Sequence, residues 1–160
     1  MIYLDNAAST AVHPEVVKEM LPYFDLQYGN PSSIHQFGRK AKNAIQKARK
    51  QVAALVGAEP DEILFTSGGT ESNNTILYGG FKAKTSRGLV IGENHIITSS
   101  IEHEAILQPC QRITQNGFKV TYLPVDEHGS IDPNDITDSI TEDTVLVSIM
   151  FANNEVGTIQ

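Results

Sequence analysis

Apolar residues in the first third of the chain recur at helical spacing. Pro14 stands where a first helical residue is favoured, and Val17, Met20, Leu21 and Phe24 follow on one face, which predicts a short amphipathic helix over 14–24. Tyr28 to Ser33 (YGNPSS) is turn chemistry. Beyond it Ile34, Phe37, Ala41, Ala44, Ile45, Ala48, Val52 and Leu55 lie three and four residues apart and predict the strongest helix, with Ser32 or Ser33 as its N-terminal cap and Gly57 as its C-terminal cap. After residue 60 short apolar runs alternate with longer periodic ones. Residues 62–66, 95–99, 118–123 and 144–150 read as strands, and 70–83, 103–115 and 133–140 as helices. Strands joined by helical crossovers imply a largely parallel sheet covered on both faces, so the expected fold class is α/β. Ligands in such sheets bind beyond the carboxyl ends of the strands, which directs attention to the residues after Phe65, Ser99 and Met150.

Composition narrows the function classes further. A chain of 160 residues is near the usual size of one domain, so one core is expected. Twelve Lys and Arg against nineteen Asp and Glu give a net charge of -7, which removes any general attraction to phosphate backbones or anionic lipid; neither nucleic acid nor membrane is an expected partner. No apolar run approaches the roughly 20 residues of a membrane span. One cysteine, Cys110, cannot form an internal disulfide, and MIYLDNAAST has neither a basic nor an apolar leader segment, so a cytoplasmic protein is expected. His13, His35, His95, His103, His128 and Cys110 lack the paired spacings of a zinc site, and no metal is expected. Cys110, near Leu107 and Ile113 in a predicted helix, should be a buried, inert thiol.

Four polar clusters could carry chemistry. In Thr66 to Asn74 (TSGGTESNN), Gly68 and Gly69 let the backbone turn tightly into the next helix, so that its N–H groups and the Thr70 hydroxyl converge on an anion. The plainer reading is a strand-to-helix turn with Thr70 as a cap. The loop is neither a Walker A motif nor a GxGxxG fingerprint, so ATP and NAD are not indicated. In Ser99 to Ala105, His103 opens a helix at the ligand crevice, where imidazole can stack on a flat ring or relay a proton; on the residues alone the commoner outcome is a first-turn histidine facing water, with Glu102 and Glu104 merely favoured near a helix start. Asn153 and Asn154 in FANNEVG supply amide donors and acceptors, and also suit an ordinary turn. Asn30 to His35 reads as a turn leading into a capped helix.

Taken in order, LDNAAST (Leu4 to Thr10), GNPSSIH (Gly29 to His35), TSGGTESNN, SIEHEAIL (Ser100 to Leu107) and ANNEVGTIQ (Ala152 to Gln160) resemble the cysteine desulfurases of the NifS/IscS type along the whole chain. The resemblance implies a homodimeric enzyme of the pyridoxal 5'-phosphate (PLP)-dependent transferase fold type I. Such an enzyme takes sulfur from L-cysteine, releases alanine and passes a persulfide to an acceptor or scaffold protein for iron–sulfur cluster or thio-cofactor assembly. By this resemblance residues 1–160 are the N-terminal part of the PLP-binding large domain, with an unpaired sheet edge. Gly69, where the family usually has alanine, and Thr70 match positions that hold the PLP phosphate. His103 matches the histidine that stacks on the pyridine ring and takes part in proton transfer, and Asn154 the asparagine near the phenolic oxygen. The matching lysine, the aspartate at the pyridine nitrogen and the persulfide cysteine are not in these residues; Lys82, Lys84 and Lys119 lie in no corresponding motif. The chain alone is therefore expected to be inactive. Two other readings compatible with the motifs are a non-catalytic interaction or regulatory module and another class V lyase, such as a selenocysteine lyase.

Overall fold

The structure, a computed structural model, describes residues 2–83 and 94–160; Lys84 lies outside them. The chain divides into two compact units, Met1–Phe65 and Thr66–Gln160, where its length predicts one core. The reason is visible in the burial. Helices α1 (Pro14–Met20) and α2 (Pro22–Asp25) bury no residue, and α3 (Gln36–Val56) buries only Gly38, Ala41 and Ala53, so these helices of the first unit bury no large apolar side chain.

The expected helix over 14–24 is broken. Pro22 lacks an N–H and its ring disfavours a helical continuation, so α1 stops at Met20 and α2 restarts with Pro22 in its first turn. The cap of α3 is His35 rather than Ser32 or Ser33: its Nδ1 accepts from the Gly38 amide at 3.5 Å, while Asn30 organises the preceding turn by accepting from Ser32 N at 2.8 Å. Gly57, at φ 70, closes α3 as predicted. Residues 62–66 form no strand. Glu59 N donates to Glu62 Oε2 at 2.8 Å and fixes Pro60–Glu62 as a 3-10 turn; Arg49 donates to the Ile63 carbonyl and lies 5.1 Å above the Phe65 ring. A backbone acceptor that a ladder would use is thus taken by a side chain.

The second unit follows the predicted order closely. Helix α4 (Gly69–Ala83) leads to strand β1 (His95–Ser99), α5 (Glu104–Gln115), β2 (Lys119–Leu123), α6 (Pro133–Ser139) and β3 (Thr144–Ser148). The strands form a parallel sheet in the order β2-β1-β3. Successive residues of a strand face opposite sides, and all five positions of β1 are buried, so both faces of the central strand are covered. Leu77 of α4, Ile96 of β1 and Ile106, Cys110 and Ile113 of α5 form the core, with Val120, Val145 and Leu146 packed against it. Polar groups on β1 are satisfied across the sheet: His95 hydrogen-bonds Thr144 at 2.9 Å and Thr121 at 2.8 Å, and Thr98 donates to the Ser148 carbonyl at 2.9 Å. Among the described residues no helix is long and apolar enough to cross a membrane.

Candidate active site at the carboxyl edge of the sheet

Because all three strands run the same way, the loops that follow them emerge on one edge. Residues 101–104 after β1, 127–129 after β2 and 153–156 with Thr158 after β3 line a cavity of about 800 Å³. His103 and Asn154 both line it. A neighbouring cavity of about 350 Å³ is lined by Thr70, Asn74, His103 and Arg112. His103 therefore stands between Thr70 on one side and Asn154 on the other.

Each of these residues is placed by its own local chemistry. His103 is the N-cap of α5, and its Nδ1 accepts from the Ala105 amide at 3.0 Å. That bond assigns the neutral ring's proton to Nε2, the nitrogen with no hydrogen-bond partner among the described residues. Gly69 and Thr70 open α4, where the first amides of a helix have no intrahelical acceptor. The Thr70 hydroxyl makes no hydrogen bond within the described residues, and a Cβ at Gly69 would meet nothing within 4 Å. Glu71 turns back and accepts from both the Ser67 amide and hydroxyl at 2.6 Å, and these bonds hold its carboxyl below the usual carboxylate range.

The two adjacent asparagines have different tasks. Asn153 is committed to the fold: its Oδ1 accepts from Glu155 N at 2.8 Å and Val156 N at 2.9 Å, and its Nδ2 donates to the Ile101 carbonyl at 3.2 Å. Asn154 is exposed and its amide is free among the described residues to meet a ligand.

Three features went beyond the sequence reading. Glu102, which the sequence places at a helix start, is buried. Asp126 shapes the wall after β2, accepting from Ser130 N at 2.8 Å and His128 N at 2.9 Å, and those amides hold its carboxyl below the usual carboxylate range. Thr158 and Gln160 strap that wall to the chain after Asn154, donating to the carbonyls of His128 and Gly129. A turn signature, Asp126 to Ser130 with Gly129, directly after a predicted strand was the available signal for the wall; for Glu102 there was none. Cys110 is fully buried as expected, and burial, with a smaller contribution from the Glu102 charge, pushes its thiol up to about 11.

The sequence profile of the class-V aminotransferase family matches residues 2–160. The chain belongs to that family. As a class-V aminotransferase it is 50% identical over 159 residues to the cysteine desulfurase IscS of Dictyoglomus turgidum, covering 99% of this chain and 39% of that protein. It is 52% identical over 159 residues to IscS of Methanosarcina thermophila, covering 99% and 38%. A solved NifS-like protein superposes with a TM-score of 0.91 at 44% identity, covering 99% of this chain and 42% of the other. The structure of SspA in complex with cysteine does so at 0.88 and 42% identity, covering 99% and 44%. The chain thus spans about two fifths of the length of the curated relatives it matches.

The family depends on PLP. The residues at the sheet edge fit that group: uncommitted helix-start amides and a hydroxyl suit a phosphate, and an imidazole with a free Nε2 and an unpartnered amide lie beside them.

Proposed function

We propose that residues 1–160 are the front part of the large domain of a PLP-dependent cysteine desulfurase. The enzyme converts L-cysteine to alanine and passes the sulfur, as a persulfide, to an acceptor or scaffold protein, and works as a homodimer in the cytoplasm. The observation that carries this reading is the position of His103 between Thr70 and Asn154 at the carboxyl edge of a parallel sheet. The identity to proteins named cysteine desulfurase, and the likeness to a protein solved with cysteine bound, support the choice of substrate.

Gly69 and Thr70 would hold the phosphate, through backbone amides and one hydroxyl at the positive end of α4. His103 would cover the pyridine ring, and Asn154 would orient the group at its phenolic oxygen. Bound PLP supplies an electron sink for bonds at the substrate's α-carbon. With Nδ1 accepting from Ala105 N, His103 carries its proton at Nε2 and presents a donor there; for Nε2 to accept a proton instead, the ring's proton must first sit on Nδ1, which gives up the cap, a loss of about 1 kcal/mol. The ring is thereby held in one tautomer until a substrate group offers a better partner. Lys119 is exposed and 3.7 Å from Asp143 at the opposite edge of the sheet, so it does not serve this site.

The test is incubation of the protein carrying this sequence with PLP and an amino-acid panel. With a thiol reductant such as dithiothreitol present to supply the two electrons that reduce persulfide sulfur to sulfide, equal amounts of alanine and sulfide from L-cysteine are expected. Product from L-selenocysteine but not from L-cysteine would replace this reading with that of a selenocysteine lyase.

A further inference from the structure

Glu102 is the most buried acidic side chain described, only 7% exposed, and the proposed chemistry gives it no part. One of its oxygens, Oε1, receives two donors: the Ser99 hydroxyl at 3.0 Å, from the last residue of β1, and the Met150 amide at 2.6 Å, two residues beyond β3. The ladder between β1 and β3 ends at the pair Thr98 and Ser148, so this carboxylate continues the join between the strands after their backbone pairing has stopped. What lies just past the join matters. His103 follows Glu102 directly, and Asn154 is four residues after Met150. A retained buried carboxylate needs good partners, because an unpaired charge is costly to desolvate. Here the partners are the two strand ends that carry the two candidate ligand-binding side chains, and the start of α5 adds its positive end nearby.

We infer that Glu102 is a positioning residue: its carboxylate latches the carboxyl ends of β1 and β3 together and so fixes the spacing of His103 and Asn154 across the cavity. It acts through those residues, and its catalytic consequence rests on the desulfurase reading above, whereas the latch itself does not. Glutamine can accept the same two hydrogen bonds through its amide oxygen; alanine can accept neither.

Two readouts on the protein carrying this sequence separate the possibilities. Amide hydrogen exchange without PLP should rise at least tenfold in residues 99–104 and 149–155 together in Glu102→Ala, leave 119–122 unchanged, and stay near the parent in Glu102→Gln. With L-cysteine, Glu102→Ala should lower kcat about tenfold and Glu102→Gln less than threefold, and adding Glu102→Ala to Asn154→Ala should cost less than a further twofold. A role limited to general stability predicts instead independent, multiplying losses that follow the folded fraction. If Glu102→Ala does not fold, Ser99→Ala, which removes one donor, should show the same paired exchange and the same non-additivity at smaller amplitude. Exchange rising in only one of the two segments, or multiplying losses in kcat, overturns the latch. A parent protein that releases no sulfide overturns the desulfurase reading, and the exchange result still decides the latch.

Discussion

Thr70 and Asn154 have side chains that the fold does not use, and Gly38 and Asn153 have positions that the fold cannot spare. Replacing Thr70 by Val should leave stability within about 0.5 kcal/mol, as expected of an exposed site. It should weaken PLP retention by roughly tenfold or more, since a hydrogen bond to a charged group is worth about 1.5–3 kcal/mol; equilibrium dialysis of the cofactor checks this. Gly69→Ala should be neutral in the same assay, because its Cβ meets open space and the backbone amide is retained. Gly38→Ala behaves oppositely: its Cβ would run into the Ser33 carbonyl oxygen, so denaturant titration should show a loss of about 1–3 kcal/mol or no folded protein. These contrasts mark the limit of the sequence at this scale. TSGGT and SIEH announce the residues that meet the cavity, yet Asn153 and Asn154 are equivalent in any sequence pattern. Only the hydrogen bonds of Asn153 show that one builds the turn and the other is free.

Elements were legible where one periodicity governs them. The helices at 69–83 and 104–115 and the three strands fall within a residue or two of their expected bounds, because short β-prone runs alternate there with longer segments of helical period. Residues 62–66 were not legible, because their fate depends on Arg49, thirteen residues earlier than Glu62, occupying a backbone acceptor. Burial of β1 also has a pH consequence. His95 is pushed below its ordinary value, first by burial and then by the Lys119 charge, with Asp143 opposing. The unfolded chain therefore binds this proton more readily than the folded one. The stability involved is complete above about pH 6.5, where an unfolded histidine is neutral, and is lost as pH falls from there toward the lower folded value. The urea midpoint should fall between pH 7.5 and 5.5, and His95→Gln should flatten that part of the profile; an unchanged slope in the variant contradicts the assignment.

At the scale of the whole chain, two units with unequal cores stand where the length suggested one, and the sequence did not show it because amphipathic spacing reports a face without reporting what covers it. Cys110 lies inside the second unit's core with its thiol near 11, so alkylation by iodoacetamide at pH 8 should be at least a hundredfold slower in the folded protein than in urea. That rules it out as a sulfur carrier in this fold. The central claim, that the sheet edge is the PLP-binding and proton-handling part of a desulfurase, is tested most directly by His103→Asn. Asparagine is a good N-cap, so the start of α5 and the fold should persist while the imidazole is lost. In sulfide release from L-cysteine by the protein carrying this sequence, the account predicts a fall of about a hundredfold or more, the usual contribution of a positioned acid–base group. Sulfide release by His103→Asn at the parent rate would contradict it.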